Sequence, residues 1–374
     1  MILICHEHFR PAYKAGGIAQ SLFNLKQELD KHDRVEVITG RMDLDGTRLD
    51  SRAYIPCVSY VSGLRVFVEV IGRLRSGVDC LYLNGLFSPF FFLYPLFIAR
   101  VFFPGLRVVI APRGMLQKGA LAQKTIKKKV YLRTLIRSHL LHGVVWHATD
   151  KQELNDIQVL LGTKTESYLV GNIPVAPLSE LKILKKSTKT LRLVYLGIIT
   201  PTKNLNVILE ALQLVQFGVR FEIVGPVKDQ AYWQECRKLM DALPPWVEVH
   251  CPGSLSPDRI QDCLSSQHAL ILPSKGENFG HAIYEALSVG RPIIISHHTP
   301  WQDLRQRFIG WNVECKPEAV HEALNELNGL SDDEYAGMCF HAHRASMDYY
   351  RTASDNPAYL HLFGIHGRSP LPKT

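Results

Sequence analysis

The stretch Lys275-Gly276-Glu277-Asn278-Phe279-Gly280-His281-Ala282-Ile283-Tyr284-Glu285-Ala286-Leu287-Ser288-Val289-Gly290-Arg291-Pro292 follows a short apolar run, Ala269 to Leu272, that reads as a β-strand. Asn278-Phe279-Gly280 then opens a helix. A strand that passes through a polar turn into a helix is the repeating unit of a doubly wound α/β fold, whose ligands bind beyond the carboxyl ends of the strands. Two carboxylates stand in this unit, Glu277 in the loop and Glu285 about one and a half turns into the helix. Unpaired amides at a helix start attract phosphate, and the helix dipole adds to the attraction. The two acids are left to address neutral hydroxyls on either side of the phosphates. Such a site suits a nucleotide-sugar, with ribose hydroxyls on one carboxylate and sugar hydroxyls on the other.

The same alternation extends in both directions. Apolar runs at Ile2 to Cys5, Val35 to Ile38, Cys80 to Leu83, Val108 to Ala111, Val144 to His147 and Tyr168 to Val170 predict strands in the first half. Leu193 to Leu196, Phe221 to Val224, Val247 to His250, Ala269 to Leu272 and Pro292 to Ile295 repeat the plan in the second. Between the sets, Gly171 to Pro177 and a lysine-rich piece to Lys189 have the composition of a linker. The expected fold class is therefore α/β, with two Rossmann-like doubly wound domains facing a central cleft. Their bounds are expected at residues 1–175 and 176–355, with a tail at 356–374 packing back on a domain.

Composition agrees with two globular domains: 374 residues, 46% hydrophobic and 21% charged. The eight cysteines are scattered, with no metal-ligand spacing, which argues for a reducing cytosol and against a disulfide scaffold or zinc knuckle. The amino terminus lacks a basic n-region and reads as a core strand. Gly85 to Phe103 imitates a membrane span, but Pro89, Pro95 and Arg100 interrupt it, and a buried or interfacial helix is expected.

The net charge of +8 is unevenly distributed. Residues 1–178 hold 23 Lys and Arg against 14 Asp and Glu, and residues 179–374 hold 20 against 21. No acid occurs between Asp79 and Asp150. Within that interval, Gln117 to His142 separates on a helix into an apolar stripe and a basic face of Lys124, Lys127, Lys128, Lys129, Arg133 and Arg137. An ordinary packed helix with solvated lysines is the simplest explanation. The alternative is docking of this helix and the aromatic stretch Phe87 to Phe103 on an anionic membrane or acceptor.

Glu277 and Glu285 match the E-x7-E pattern of retaining glycosyltransferases with the GT-B fold, and the segment through Pro292 resembles their family 4 members. Other landmarks of that family occur in order: Gly16-Gly17 after the first strand, Lys203-Asn204 after the first strand of the second domain, Val224-Gly225, and Gly253. The resemblance implies a first domain that binds acceptor and a second that binds nucleotide-sugar. It implies that Glu285 holds the ribose, Glu277 faces the transferred sugar and Lys203 pairs with the diphosphate. Gly16 and Gly17 would let backbone approach phosphate or acceptor. Gly225, Gly253, Leu255 and the Asn278-Phe279-Gly280 turn would complete the donor site.

Two departures stand out. The family's Leu-Gly-Arg is here Leu196-Gly197-Ile198, so one phosphate-pairing cation is missing, and Arg113, Lys275 or Arg291 becomes its candidate replacement. Ala111-Pro112-Arg113-Gly114 stands where many relatives carry His-Gly, and a guanidinium is no base, which leaves His281 or His147 to be tested. Asp43-Leu44-Asp45 matches the metal-binding D-x-D pattern of another glycosyltransferase fold but reads as a solvated loop, so no metal or cofactor is expected.

The resemblance implies transfer of a hexose or N-acetylhexosamine from a nucleoside diphosphate sugar, a UDP-sugar ahead of a GDP-sugar, to a glycan or lipid-linked glycan. Surface polysaccharide or lipopolysaccharide assembly at the inner face of the plasma membrane is the expected setting. The rival readings are a nucleotide-sugar 2-epimerase or soluble synthase on the same fold, a pseudoenzyme, and a basic nucleic-acid-binding protein. No base-stacking motif supports the last.

Overall fold

A computed structural model describes residues 1–116, 125–186, 190–354 and 356–365. It divides into two compact units, one of Met1–Ile173 with the chain from Ala353 onward, the other Pro174–Thr352.

The first unit is built on seven parallel strands in the order β3-β2-β1-β4-β5-β6-β7. They are β1 (Ile2–His6), β2 (Val35–Thr39), β3 (Val58–Tyr60), β4 (Cys80–Asn84), β5 (Arg107–Ala111), β6 (Val145–Ala148) and β7 (Ser167–Leu169). β1, β2 and β4 are buried at every residue, as parallel strands covered on both faces require. Helices α2 (Arg65–Arg75), α3 (Tyr94–Phe102), α4 (Thr125–Arg137) and α5 (Lys151–Leu161) share one core on one side of the sheet. On the other, α1 (Gly17–Leu29) packs with α12 (Ala358–Phe363), whose Tyr359, Leu362 and Phe363 cover Ile2, Ile4 and Tyr82. The C-terminal chain thus completes the core of the first unit.

The second unit has six parallel strands in the order β10-β9-β8-β11-β12-β13 around a single core. These are β8 (Thr190–Leu196), β9 (Gly218–Val224), β10 (Val247–Gly253), β11 (Ala269–Leu272), β12 (Ile293–Ser296) and β13 (Gly310–Val313). Its helices are α6 (Leu205–Leu212), α7 (Gln230–Asp241), α8 (Pro257–Ser265), α9 (His281–Ser288), α10 (Pro317–Gly329) and α11 (Asp332–Ser354).

Every strand expected from sequence is present, and β3 and β13 are additional. Each lies at a sheet edge and is short: β3 has three residues and β13 reads Gly-Trp-Asn-Val, so neither shows a β-branched run. The lysine-rich linker is also more structured than its composition suggests. Val175, Leu178 and Leu181 pack on the second core, and Lys186 buries its ammonium against the carbonyls of Leu327, Asn328 and Leu330 at the end of α10. A cation there satisfies carbonyls that the helix leaves without donors.

The Asp43–Asp45 loop departs from expectation as well. Asp43 is buried and accepts from the Leu44 and Lys14 amides, while Asp45 pairs with Lys14 at 2.6 Å. Both acids are thus engaged within the chain. Phe87 to Phe103 forms a single π-type turn at Pro89–Leu93 followed by α3, with no helix among the described residues long and apolar enough to cross a membrane. All eight cysteines are free thiols, and among the described residues no group of three or more His, Cys, Asp or Glu is placed to hold a metal.

Two histidines sit in the first core. His6 donates from Nδ1 to the Asn84 carbonyl at 2.7 Å. His147 donates from Nε2 to the Val170 carbonyl at 2.8 Å and faces the Tyr82 hydroxyl, at 2.9 Å, with Nδ1. Burial pushes their pKa values down, to about 4 for His6 and about 3 for His147, with the Arg113 charge adding in the same direction. His147 is thereby a core residue held neutral, with both ring nitrogens engaged within the first unit. Below pH 6.5 the unfolded chain takes up protons that the folded one refuses, so stability falls as pH falls from there towards 4. We expect a loss of about 2 kcal/mol per histidine between pH 7 and pH 5. Urea unfolding of wild type and of His147→Gln across that range checks it: the variant is expected to show the shallower pH dependence, and parallel curves would contradict the assignment.

Candidate functional site

Lys203 reaches its position through a short turn. β8 ends at Leu196, and the chain passes through a 3-10 turn at Pro201–Lys203 before Asn204 takes a left-handed conformation, φ 54° and ψ 40°, and starts α6. An asparagine tolerates that conformation better than most residues. The Thr200 and Thr202 hydroxyls face each other at 2.9 Å, and no side chain caps the start of α6. The buried Asn204 amide instead donates across to the Pro273 carbonyl at 2.8 Å.

That bond begins a zipper between two loops. The Lys275 amide donates to the Thr202 carbonyl at 2.8 Å, and the Lys203 ammonium meets Glu277 Oε1 at 2.5 Å. From the far side, the Glu277 amide donates to the His298 carbonyl at 3.1 Å and the Ser296 hydroxyl to the Ser274 carbonyl. Glu277 is thus held from both flanks, with its side chain 11% exposed against 22% for Lys203. The pair is thus largely shielded, with Lys203 the more exposed partner.

Gly280 precedes α9 with φ 78° and ψ 65°, and a Cβ there would meet Ile283 Cδ1 at 2.6 Å, so the tight entry into the helix requires glycine. Phe279 is buried beside Trp301, Tyr284 and Tyr349, with ring centroids 5.3 to 6.0 Å away. Trp301 Nε1 donates to the Phe279 carbonyl at 2.7 Å. An aromatic cluster therefore fixes the turn whose amides open α9, and Glu285 sits half-buried on that helix. His281 stacks edge-on against Phe279, centroids 4.8 Å apart.

Three glycines lie side by side at the strand ends. The Gly197 amide donates to the Val224 carbonyl and the Gly225 amide to the Gly253 carbonyl, each at 3.0 Å. Gly225 has φ 146°, and a Cβ on it would fall 1.9 Å from the Gly197 carbonyl oxygen. Packing alone thus demands glycine at 225. Leu255 follows, half-buried against the core, and Ile198 in the same rim presents a carbonyl to the Tyr195 hydroxyl at 3.1 Å.

The three candidate replacement cations part company. Arg291 is 1% exposed and donates to the Lys182 and Ser265 carbonyls, at 2.6 and 2.8 Å, beside the Cys339 sulfur. It is a core residue, which corrects its candidacy. Arg113 belongs to the first unit, where its guanidinium bonds Asn84 at 2.6 Å, the Tyr82 hydroxyl at 3.0 Å and Asn172. Lys275 is exposed, on the same loop as Glu277.

Gly16 and Gly17 also lie in the first unit. Gly16, with φ 76° and ψ −154°, links the turn Tyr13–Ala15 to the first residue of α1. Of the basic helix, α4 presents Lys127, Lys129, Arg133 and Arg137 to solvent, and Lys128 reaches over the Phe87 ring. Lys124 lies outside the described residues.

The family model described as glycosyl transferases group 1 matches residues 179–339. Most of the second unit is thus similar to glycosyl transferases group 1. Similar solved structures extend the likeness over both units. Anabaena Alr3699/HepE in complex with UDP and glucose is 14% identical with a TM-score of 0.70, covering 96% of this chain and 98% of that one. Sucrose-phosphate synthase from Thermosynechococcus elongatus is 15% identical, TM-score 0.68, with the same coverage. WaaG, a glycosyltransferase involved in lipopolysaccharide biosynthesis, is 13% identical, TM-score 0.64, covering 96% and 99%. These likenesses establish the GT-B fold. No curated protein matches the chain by sequence.

Sequence reasoning named Lys203, Asn204, Glu277, Glu285 and the Asn278–Gly280 turn, and did not name Ser274, Ser296 and Trp301, whose hydrogen bonds hold these loops. Trp301 lies 22 residues from its partner carbonyl, and only the fold brings the two together. Gly225→Ala is expected to destabilise the second unit by about 3 kcal/mol or more, since it adds both a backbone clash and a strained φ. Chemical denaturation checks this, and a variant as stable as wild type would show that Gly197 and Gly225 are not in contact.

Proposed function

We propose that the protein is a retaining glycosyltransferase of family 4 type. It transfers a hexose or N-acetylhexosamine from a nucleoside diphosphate sugar, a UDP-sugar ahead of a GDP-sugar, to a hydroxyl of a lipid-linked glycan. Surface polysaccharide or lipopolysaccharide assembly at the cytoplasmic face of a membrane is the setting. The observation that carries this reading is the Lys203–Glu277 pair beside the start of α9: one cation, one carboxylate and a helix amino end in a single group 1 domain. The HepE structure, described with UDP and glucose, supports the donor, and WaaG, described in lipopolysaccharide biosynthesis, supports the setting.

In the mechanism we favour, the diphosphate takes the Lys203 ammonium from Glu277 and meets the first-turn amides of α9, which have no acceptor within the helix. The freed Glu277 carboxylate accepts from sugar hydroxyls, and Glu285 from the ribose. The bond from the anomeric carbon to phosphate breaks, and its electron pair stays on the diphosphate. The acceptor oxygen bonds the anomeric carbon on the same face and passes its proton to the departing phosphate. Lys203 supplies positive charge with no metal, and Lys275 on the adjoining loop takes the part left open by Ile198. Preorganised charge at a developing anion is the largest single contribution available to such a site.

Lys203→Met is expected to lower turnover about 100-fold or more. In a thermal-shift screen of UDP, GDP, ADP and TDP, UDP is expected to raise the melting temperature of wild type and to do so much less for Glu285→Ala. Proton NMR of the product should show an α-linkage from an α-linked donor. Turnover of donor without acceptor into an epimer, or no stabilisation by any nucleotide, would contradict the proposal.

A further inference from the structure

The outer surface of the first unit's helical layer carries apolar side chains that nothing in the described chain covers. Leu64, the N-cap residue of α2, and Phe67 and Val68 on it are 79%, 38% and 70% exposed, and their i, i+3, i+4 spacing puts them on one face. On α3, which packs beside α2, Phe97, Val101 and Phe102 are 46%, 50% and 61% exposed. A soluble monomer rarely gathers such residues on two neighbouring helices without a partner for them. Past Phe102, the surface continues into a shallow hollow lined by Leu74, Val78 and Phe103.

Cations outnumber acids around this patch, although Asp79, paired with the terminal ammonium, also lines the hollow. Arg65 and Arg75 are exposed on α2, and Lys127, Lys129, Arg133 and Arg137 on α4. α4 is tied to the same layer by the Tyr131 hydroxyl on the Leu86 carbonyl at 2.8 Å and by Lys128 over Phe87. The carboxylate on these three helices is Glu69, itself paired with Arg73 at 3.6 Å. Apolar side chains with cations on the same helical layer match a bilayer with anionic headgroups, where the former enter the acyl boundary and the latter meet phosphate. A second copy is a poor occupant, because the two faces would bring like charges together. Nucleic acid is a poorer occupant, since the two most exposed side chains, Leu64 and Val68, are aliphatic, although Phe67, Phe97 and Phe102 carry rings.

We propose that the α2–α3 face, led by Leu64 and Val68 and flanked by the basic residues of α4, docks the protein on an anionic lipid surface. This rests on the transferase reading only for the location of its acceptor. The docking face extends the one expected from sequence, which named the basic helix and Phe87 to Phe103, by adding α2.

The test uses the full chain and sedimentation with vesicles of equal parts phosphatidylglycerol and phosphatidylcholine, beside vesicles of phosphatidylcholine alone. Wild type is expected to bind the anionic vesicles, more weakly as salt rises. The double variant L64D/V68D, altered only at exposed positions, is expected to bind about tenfold more weakly or worse. Its UDP thermal shift and its elution on gel filtration are expected to equal those of wild type. No binding by wild type, or equal binding by the variant, would overturn the proposal, as would a wild-type dimer that the substitutions dissociate. Loss of the UDP shift in wild type with vesicle binding intact would instead contradict the transferase reading and leave the docking face standing.

Discussion

Lys203 and Glu277 come from loops after different strands, and 2.5 Å separates the ammonium from the carboxylate. Neither loop would hold its shape alone. The Lys203 turn depends on a left-handed Asn204 whose amide is spent on the Pro273 carbonyl, and the Glu277 loop is tied to Thr202 on one side and to His298 on the other. The β8-β11-β12 order of the sheet makes this possible, because it sets the three loops side by side at the carboxyl ends of adjacent parallel strands. The pair is the point at which topology, loop chemistry and opposite charge meet.

Rigidity behind the pair has a separate source. The Phe279, Tyr284, Trp301 and Tyr349 rings pack under the turn, and the Trp301 indole fixes the carbonyl of the residue before Gly280. A helix start offers amides to an anion only when its entry angle is fixed, and aromatic packing supplies that at low conformational cost. Across the sheet, Gly197, Gly225 and Gly253 bring three strand ends so close that no side chain fits at Gly225. That crowding explains the glycine without a ligand, so the residue carries less functional information than its place in the motif suggests.

Strands that form sheet centres were legible in the sequence because burial on both faces leaves a continuous apolar run, as at Ile2–His6 and Ala269–Leu272. Edge strands β3 and β13 escape that rule, since one side of each needs no partner and few of their residues are branched. Among the candidate site residues, Glu277 and Glu285 were legible through spacing after a strand, and Lys203-Asn204 through the family resemblance. The contacts of Asn204 and Trp301 were not, because their partners lie 69 and 22 residues away and local pattern carries no trace of them. Arg291 was misread for the related reason that a cation beside a motif looks available, whereas its guanidinium serves carbonyls inside the core. Asp43 shows the same limit, a polar residue in a polar stretch that the fold turns inward.

The most direct measurement is a crystal structure of the protein with UDP. A phosphate site at the start of α9 predicts the diphosphate at the His281 and Ala282 amides, with the Lys203 ammonium moved from Glu277 onto a phosphate oxygen. UDP bound elsewhere, with the Lys203–Glu277 pair intact at 2.5 Å, would contradict it.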